Sequence, residues 1–250
     1  VGKGRIRDYA DVMRRLRVLP AKHWRVTQVR RVWGYPFFAV VRQPNRQWPT
    51  VFLTGGMHGE EPAGVEGVLQ WLESPAALQW RVNWFVLPCI NPYGWERNQR
   101  RNKQRYDINR QFRSPTDCVE AQLIKRLIRH RRFRFVMEFH EDVDATGFYL
   151  YEVTRLSPEI GEKMVAAVGK VVPINRERVI DSRPANGRGL IQRPKELTAL
   201  QKRKRWPMAY HLFLHHTDHV LGSETAIQPP LAQRARAHTT ALRTALRSLT

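Results

Sequence analysis

Acidic residues are scarce in this sequence: 22 Asp and Glu stand against 43 Lys and Arg, a formal net charge of +21 over 250 residues. Only nine of the basic residues are Lys, so arginine carries most of the charge. Cysteine is nearly absent. Cys89 and Cys118 are too few for a disulfide framework or a cysteine-based zinc site, and only a single bridge between them stays open. Cys89, in the apolar run WFVLPCI, reads as a small core residue. This usage points to a reducing, cytoplasmic compartment. No run of eighteen apolar residues exists, which excludes a membrane-spanning helix. The segment VGKGRIRDYADVMRRLRVL is charged throughout and lacks the apolar centre of a signal peptide. Zinc-finger spacing, an RNP1 pattern and a P-loop are all missing, and no internal repeat appears. The charge is therefore a non-specific electrostatic signal, and nucleic acid is not expected as the main partner.

What is present suits a globular core: 42% hydrophobic residues, with eight Trp and ten Phe. Helical spacing covers residues 6–18. Trp24 to Trp33 and Phe37 to Val41, around Gly34-Tyr35-Pro36, read as a hairpin. Val51 to Thr54 is a short strand, followed by a helix from Pro62 to about Leu72. Val82 to Ile90 is an almost continuous apolar run, typical of a strand buried on both faces, and Phe133 to Phe139 reads as another buried strand. A helix is expected from Ser114-Pro115 to about His130, a strand at Phe148 to Val153, and a helix from Ser157-Pro158 to about Val171. Residues 172–207 read as a long irregular loop. His211 to Leu214 and Val220 to Ser223 have strand character, and a last helix follows Pro229-Pro230. The alternation predicts an α/β single domain: a mixed, largely parallel central sheet with helices on both faces. In such sheets, sites lie at the carboxyl ends of strands.

The few acids are clustered, and there. Glu60, Glu61 and Glu66 follow Gly55-Gly56-Met57-His58. Glu138, Glu141, Asp142 and Asp144 surround His140. In so basic a chain, cation binding is the obvious local cause. His58 and Glu61, three residues apart at a strand-to-helix turn, can reach one cation together, and His140 suits a third ligand. His215, His216 and His219 lack matching carboxylates and are read as core or surface histidines.

The ordered set H-x-x-E (His58, Glu61), N-P-x-G (Asn91 to Gly94), R-x-N (Arg100 to Asn102), D-x-N-R-x-F (Asp107 to Phe112) and a strand-borne histidine resembles the M14 zinc carboxypeptidase superfamily. That superfamily includes carboxypeptidases, murein-peptide amidases and the related succinylglutamate desuccinylase/aspartoacylase group. The resemblance covers roughly residues 50–225 and implies one catalytic domain over 1–250. It implies one zinc per chain, held by His58, Glu61 and His140. Asn109 and Arg110 would hold a substrate carboxylate, for which arginine's planar donor fork is suited. Arg100 best matches the arginine that polarises the scissile carbonyl, with Arg101 left open as a substrate contact. Asp107 would accept the other N–H of a ligand histidine. Glu224 would be the base that takes a proton from water. Tyr210 is the best positional match for a tyrosine over the substrate, with Tyr149 and Tyr151 as alternatives. Glu138 stands where many members have Asp.

The implied activity is hydrolysis of a C-terminal peptide or amide bond next to a free carboxylate. An N-acyl amino acid deacylase is the alternative, and a non-catalytic polyanion-binding module a second one. An arginine-lined mouth would favour acidic substrates.

Overall fold

Apolar segments alternate with amphipathic ones, and they assemble into one eight-stranded mixed sheet between two helical layers. The structure, a computed structural model, describes residues 7–155, 160–192 and 202–249. In chain order the elements are α1 (Tyr9–Arg17), β1 (Arg25–Val32), β2 (Tyr35–Arg42), β3 (Thr50–Thr54), α2 (Pro62–Glu73), β4 (Asn83–Leu87), α3 (Pro92–Arg97), α4 (Val119–Ile128), β5 (Phe135–Asp142), β6 (Tyr149–Thr154) and α5 (Gly161–Val168). Then come β7 (Val179–Ile180), β8 (Arg183–Pro184), β9 (Leu190–Gln192), α6 (Met208–His215), β10 (His219–Ala226) and α7 (Leu231–Arg247).

The sheet order is β1-β2-β4-β3-β5-β10-β6-β9. Its centre, β4-β3-β5-β10, is parallel, while β1-β2, β2-β4 and β10-β6 are antiparallel. Every residue of β4 is buried, as its apolar run Trp84 to Leu87 requires, and the buried Asn83 at its start donates to the Asn45 and Trp48 carbonyls. The edge strand β1 instead exposes Arg25, Arg30 and Arg31, and such charges discourage pairing with another chain. Helices α1, α2, α5 and α7 pack on one face, α4 and α6 on the other.

The hairpin, the central strands and the two helical faces agree with the sequence reading. Four expectations are corrected. Residues 211–214, read as a strand, lie in α6. Pro207 precedes it, and Met208 and Leu212 bury one helical face, a period hidden in so short an apolar run. The helix expected from Ser114-Pro115 begins at Val119. Before it, Thr116 Oγ1 accepts from the Cys118 amide at 3.3 Å and holds a turn. Strands β5 and β10 run on through His140 and Glu224 rather than stopping before them. The stretch 172–207 contains three short strands, of which β9 extends the sheet. The helix start read at Ser157-Pro158 lies outside the described residues.

Cys89 and Cys118 are both buried and free, so no bridge joins them. Burial pushes the Cys118 thiol up to about 12, which leaves it inert. No helix among the described residues is long and apolar enough to cross a membrane.

Candidate metal centre

Strand β3 ends at Thr54, and Gly56, at φ +63°, turns the chain sharply before α2. This places His58 and Glu61 in the turn, where both are buried. Gly59 between them approaches the backbone of Gly94 so closely that a Cβ there would lie 2.0 Å from the Gly94 carbonyl carbon. A side chain at this position would push the turn off α3. His140, also buried, comes from β5.

Glu61 joins the two histidines. Its Oε1 lies 2.5 Å from His58 Nδ1 and its Oε2 2.9 Å from His140 Nδ1. One donor atom from each residue can be chosen so that all lie within 4.8 Å of one another. Burial opposes ionisation of Glu61, but the two imidazoles outweigh it and hold the carboxyl down to about 2. Burial likewise opposes protonation of His58 and His140, but Glu61, joined by Asp107 at His58 and by Glu224 and Glu138 at His140, outweighs it and raises both. This enclosed carboxylate thus calls for positive charge between the rings. Two imidazole nitrogens and one carboxylate are the donor chemistry of a catalytic zinc site, so the residues fit the implied cation.

Around this trio stand partners that orient it. His58 Nε2 lies 3.2 Å from Asp107 Oδ1. Asp107 Oδ2 accepts from Arg100 Nε at 3.2 Å and is 3.1 Å from Nη2. Burial pushes Asp107 up, but His58 and Arg100 keep it well below the usual carboxylate range. Arg100 Nη1 also reaches within 3.6 Å of Glu60 and Glu61. On the other histidine, Glu138 Oε2 lies 3.9 Å from His140 Nε2. Glu138 Oε1 is buried with no partner among the described residues. The Glu in place of Asp thus still faces the ligand ring.

Glu224 is held by the sheet itself. On β10 it pairs in register with His140 on β5 and with Tyr149 on β6. Burial pushes its carboxyl up to about 8; Glu61 adds to this, and His140 opposes it. A carboxylate tuned toward neutrality is suited to taking up and releasing a proton.

These groups line a cavity of about 590 Å³. Asn109, Arg110, Tyr149, Tyr151 and Tyr210 also line it. Asn109 Oδ1 accepts from the Met208 amide at 2.9 Å, which fixes its amide and ties this loop to the start of α6. Arg110 is exposed, and its Nη1 donates to the Asn109 carbonyl at 3.1 Å. The two adjacent arginines separate here. Arg100 lines the cavity; Arg101 points outward and donates to the Arg105 carbonyl at 2.8 Å. Asn102 of the R-x-N motif is also outside, buried against Glu120 at 2.7 Å. His219 pairs with the buried Glu152 at 2.8 Å.

Sequence reasoning missed three supports of the site. Arg7, ahead of α1, donates to the Gly59 carbonyl and, at 3.3 Å, to that of Glu60, bracketing the turn between His58 and Glu61. Glu141 accepts from the Ala63 amide at the start of α2 at 2.6 Å and pairs with Arg234 of α7. This accounts for an acid directly after His140. His238 of α7 stacks on Phe139 at 4.7 Å and bonds Ser223 Oγ at 2.8 Å, directly behind Glu224. No local pattern marks these contacts. Arg7 and Glu141 reach partners 52 and 78 residues away.

His238 has a measurable consequence. Complete burial pushes it down to about 3, so it stays neutral in the folded chain. The unfolded chain takes up this proton below about pH 6.5. His238 therefore contributes stability that is fully present above that pH and is lost as pH falls toward 3. Its share of the loss is expected at about 1.4 kcal/mol per pH unit. Denaturant unfolding at pH 7.5 and 5.0 should show a steeper loss in the parent chain than in His238→Gln. Equal slopes would refute the assignment.

The comparisons with known proteins agree with this architecture. A family model described as the succinylglutamate desuccinylase/aspartoacylase catalytic domain matches residues 47–174. Among solved structures, a protein inferred to be a metallopeptidase from Shewanella amazonensis superposes with a TM-score of 0.81 at 23% identity, covering 97% of this chain and 92% of that one. A second such protein, from Shewanella baltica, gives 0.80 at 24% identity, covering 97% and 91%. A metallo-carboxypeptidase from Pseudomonas aeruginosa, in complex with (2-guanidinoethylmercapto)succinic acid, gives 0.66 at 13% identity, covering 96% and 68%. These likenesses show a shared fold. No match was found among curated proteins.

Proposed function

The chain belongs to the succinylglutamate desuccinylase/aspartoacylase catalytic-domain family, and we propose that it is a zinc-dependent hydrolase of an amide bond next to a free carboxylate. The observation that carries this reading is the registered pair of Glu224 and His140 on neighbouring parallel strands. It sets the Glu224 carboxyl beside the cluster of His58, Glu61 and His140, in a cavity also lined by Arg100, Asn109 and Arg110, which supports that reading.

His58, Glu61 and His140 would hold the zinc, which supplies Lewis acidity and brings the proton affinity of water toward neutrality. Glu224 takes a proton from the attacking water and passes it to the leaving amine. Arg100, kept in line by Asp107, donates to the scissile carbonyl oxygen as charge develops there. Asn109 and Arg110 grip the substrate carboxylate and set which bond reaches Glu224. Tyr210, with Tyr149 and Tyr151, walls the bound substrate.

The substrate is read as the C-terminal bond of a peptide, in line with the metallopeptidase and carboxypeptidase neighbours. A second reading, a small N-acyl amino acid, is favoured by the family model itself. A panel of C-terminal peptides, N-acyl amino acids and their carboxyl-amidated forms separates the two. One class should be hydrolysed, activity should vanish with a chelator and return with zinc, and the amidated forms should be poor substrates. Arg110→Ala is expected to raise KM at least about tenfold, with a smaller change in kcat. Equal turnover of free and amidated substrates would overturn the carboxylate assignment.

A further inference from the structure

Away from the metal centre, a second cleft of about 590 Å³ opens between α4 and α6. Lys125, Arg126 and Arg129 face it from the α4 side, and His211, His215 and His216 from the α6 side. None of its lining residues among the described residues is acidic. The three imidazoles crowd together, with ring centroids 5.0, 5.2 and 6.2 Å apart. We propose that this cleft is a binding site for hydrogen phosphate.

Two simpler accounts fall short. Basic residues near helix C-termini are favoured by the helix dipole, which explains Lys125 and Arg126 on α4. It does not explain why a second helix presents histidines to the same space. The terminal carbonyls are moreover already satisfied. Arg131 Nε donates to the Leu127 carbonyl at 3.1 Å, His216 Nδ1 to that of Arg131 at 2.9 Å, and Arg132 Nη1 to that of His215 at 3.3 Å. The cations of the cleft are thus left without an opposing charge on its walls. A metal ion is the other account, since His211 and His215 have helical i, i+4 spacing. Three fixed positive charges beside them repel a cation, and the donor atoms do not converge as those of His58, Glu61 and His140 do.

An anion satisfies the same geometry. Burial first, then His215, His216 and Lys125, push His211 down to about 3; the positive charge that faces a ligand here is that of Lys125, Arg126 and Arg129. Lys125, with its Nζ 2.9 Å from Ser114 Oγ, Arg126 and Arg129 supply donors and charge for a dianion. His216 narrows the choice. It is 6% exposed, and its Nδ1 is spent on a carbonyl, which accepts only, so in the neutral ring the Nε2 is an acceptor. An oxyanion carrying its own proton pairs with that acceptor. Hydrogen phosphate has this proton and sulfate does not. The cleft absorbs part of the positive charge for which the hydrolase site has no use.

Titration calorimetry with inorganic phosphate at pH 7 and constant ionic strength tests this on the full chain. Saturable binding with a Kd below about 1 mM is expected, at least tenfold tighter than for sulfate. The Lys125→Gln, Arg126→Gln double variant, in which Arg126 is exposed and Lys125 half-buried, should weaken binding at least tenfold with an unchanged circular dichroism spectrum. Arg110→Ala should leave it unchanged. Absence of saturable binding, equal affinity for sulfate, an unaffected double variant, or loss of binding in Arg110→Ala would each overturn the proposal; the last would place the anion in the hydrolase cavity.

Discussion

Glu224→Gln is expected to lower kcat by about 10³-fold, within the span that a positioned acid–base group contributes. Gln preserves the shape and the β10 backbone ladder but cannot accept a proton from water. Its side chain is not among the cage donors, so zinc content should remain at one per chain. The variant should also be at least as stable as the parent. Burial penalises the carboxylate, with Glu61 adding to the penalty, and a neutral amide escapes it. Steady-state kinetics, metal analysis and thermal unfolding on the same preparation read all three. Unchanged turnover would remove Glu224 from the reaction; a fall in activity accompanied by loss of zinc would make its role structural.

Glu61→Gln should act in the opposite sense on metal and fold. Glu61 is the negative charge of the cage and the group that both histidines face, at 2.5 and 2.9 Å. Losing a partner that merely orients a ligand already costs 10- to 100-fold in metal affinity, so loss of the carboxylate ligand is expected to cost more than about 100-fold. Turnover should fall below detection at ordinary zinc concentrations. A ligand that binds only the folded chain raises its melting temperature, so zinc should stabilise the parent and leave the variant unmoved. A variant that still holds one zinc per chain after dialysis would show that Glu61 is not a ligand.

The sequence made some of this legible for physical reasons that can be named. Strands β3, β4 and β5 are buried on both faces, and such burial leaves nearly continuous apolar runs, broken in β5 where Glu138 and His140 enter the site. The cation cage shows as H-x-x-E because two of its ligands come from one tight turn, and three residues suffice to span it. The helix α6 was hidden because eight residues give barely two turns of periodicity, and its histidines blur the apolar face. Arg100 and Arg101 are neighbours in sequence, and only the path of the loop after α3 decides which one turns inward. Asn102 sits in the R-x-N motif, and the motif does not tell that its side chain anchors the loop to Glu120. The supports Arg7, Arg234 and His238 were illegible because they act across the fold.

Arg7 carries an implication for how the site is held. Its guanidinium completes the carbonyls of Gly59 and Glu60, while α1 docks on α2 through Arg15, whose guanidinium bonds Glu66 and Glu73 at 2.6 and 2.7 Å. The turn that carries His58 and Glu61 is therefore clasped from outside, by a guanidinium 52 residues earlier in the chain, and two of its carbonyls gain partners that the turn cannot supply by itself.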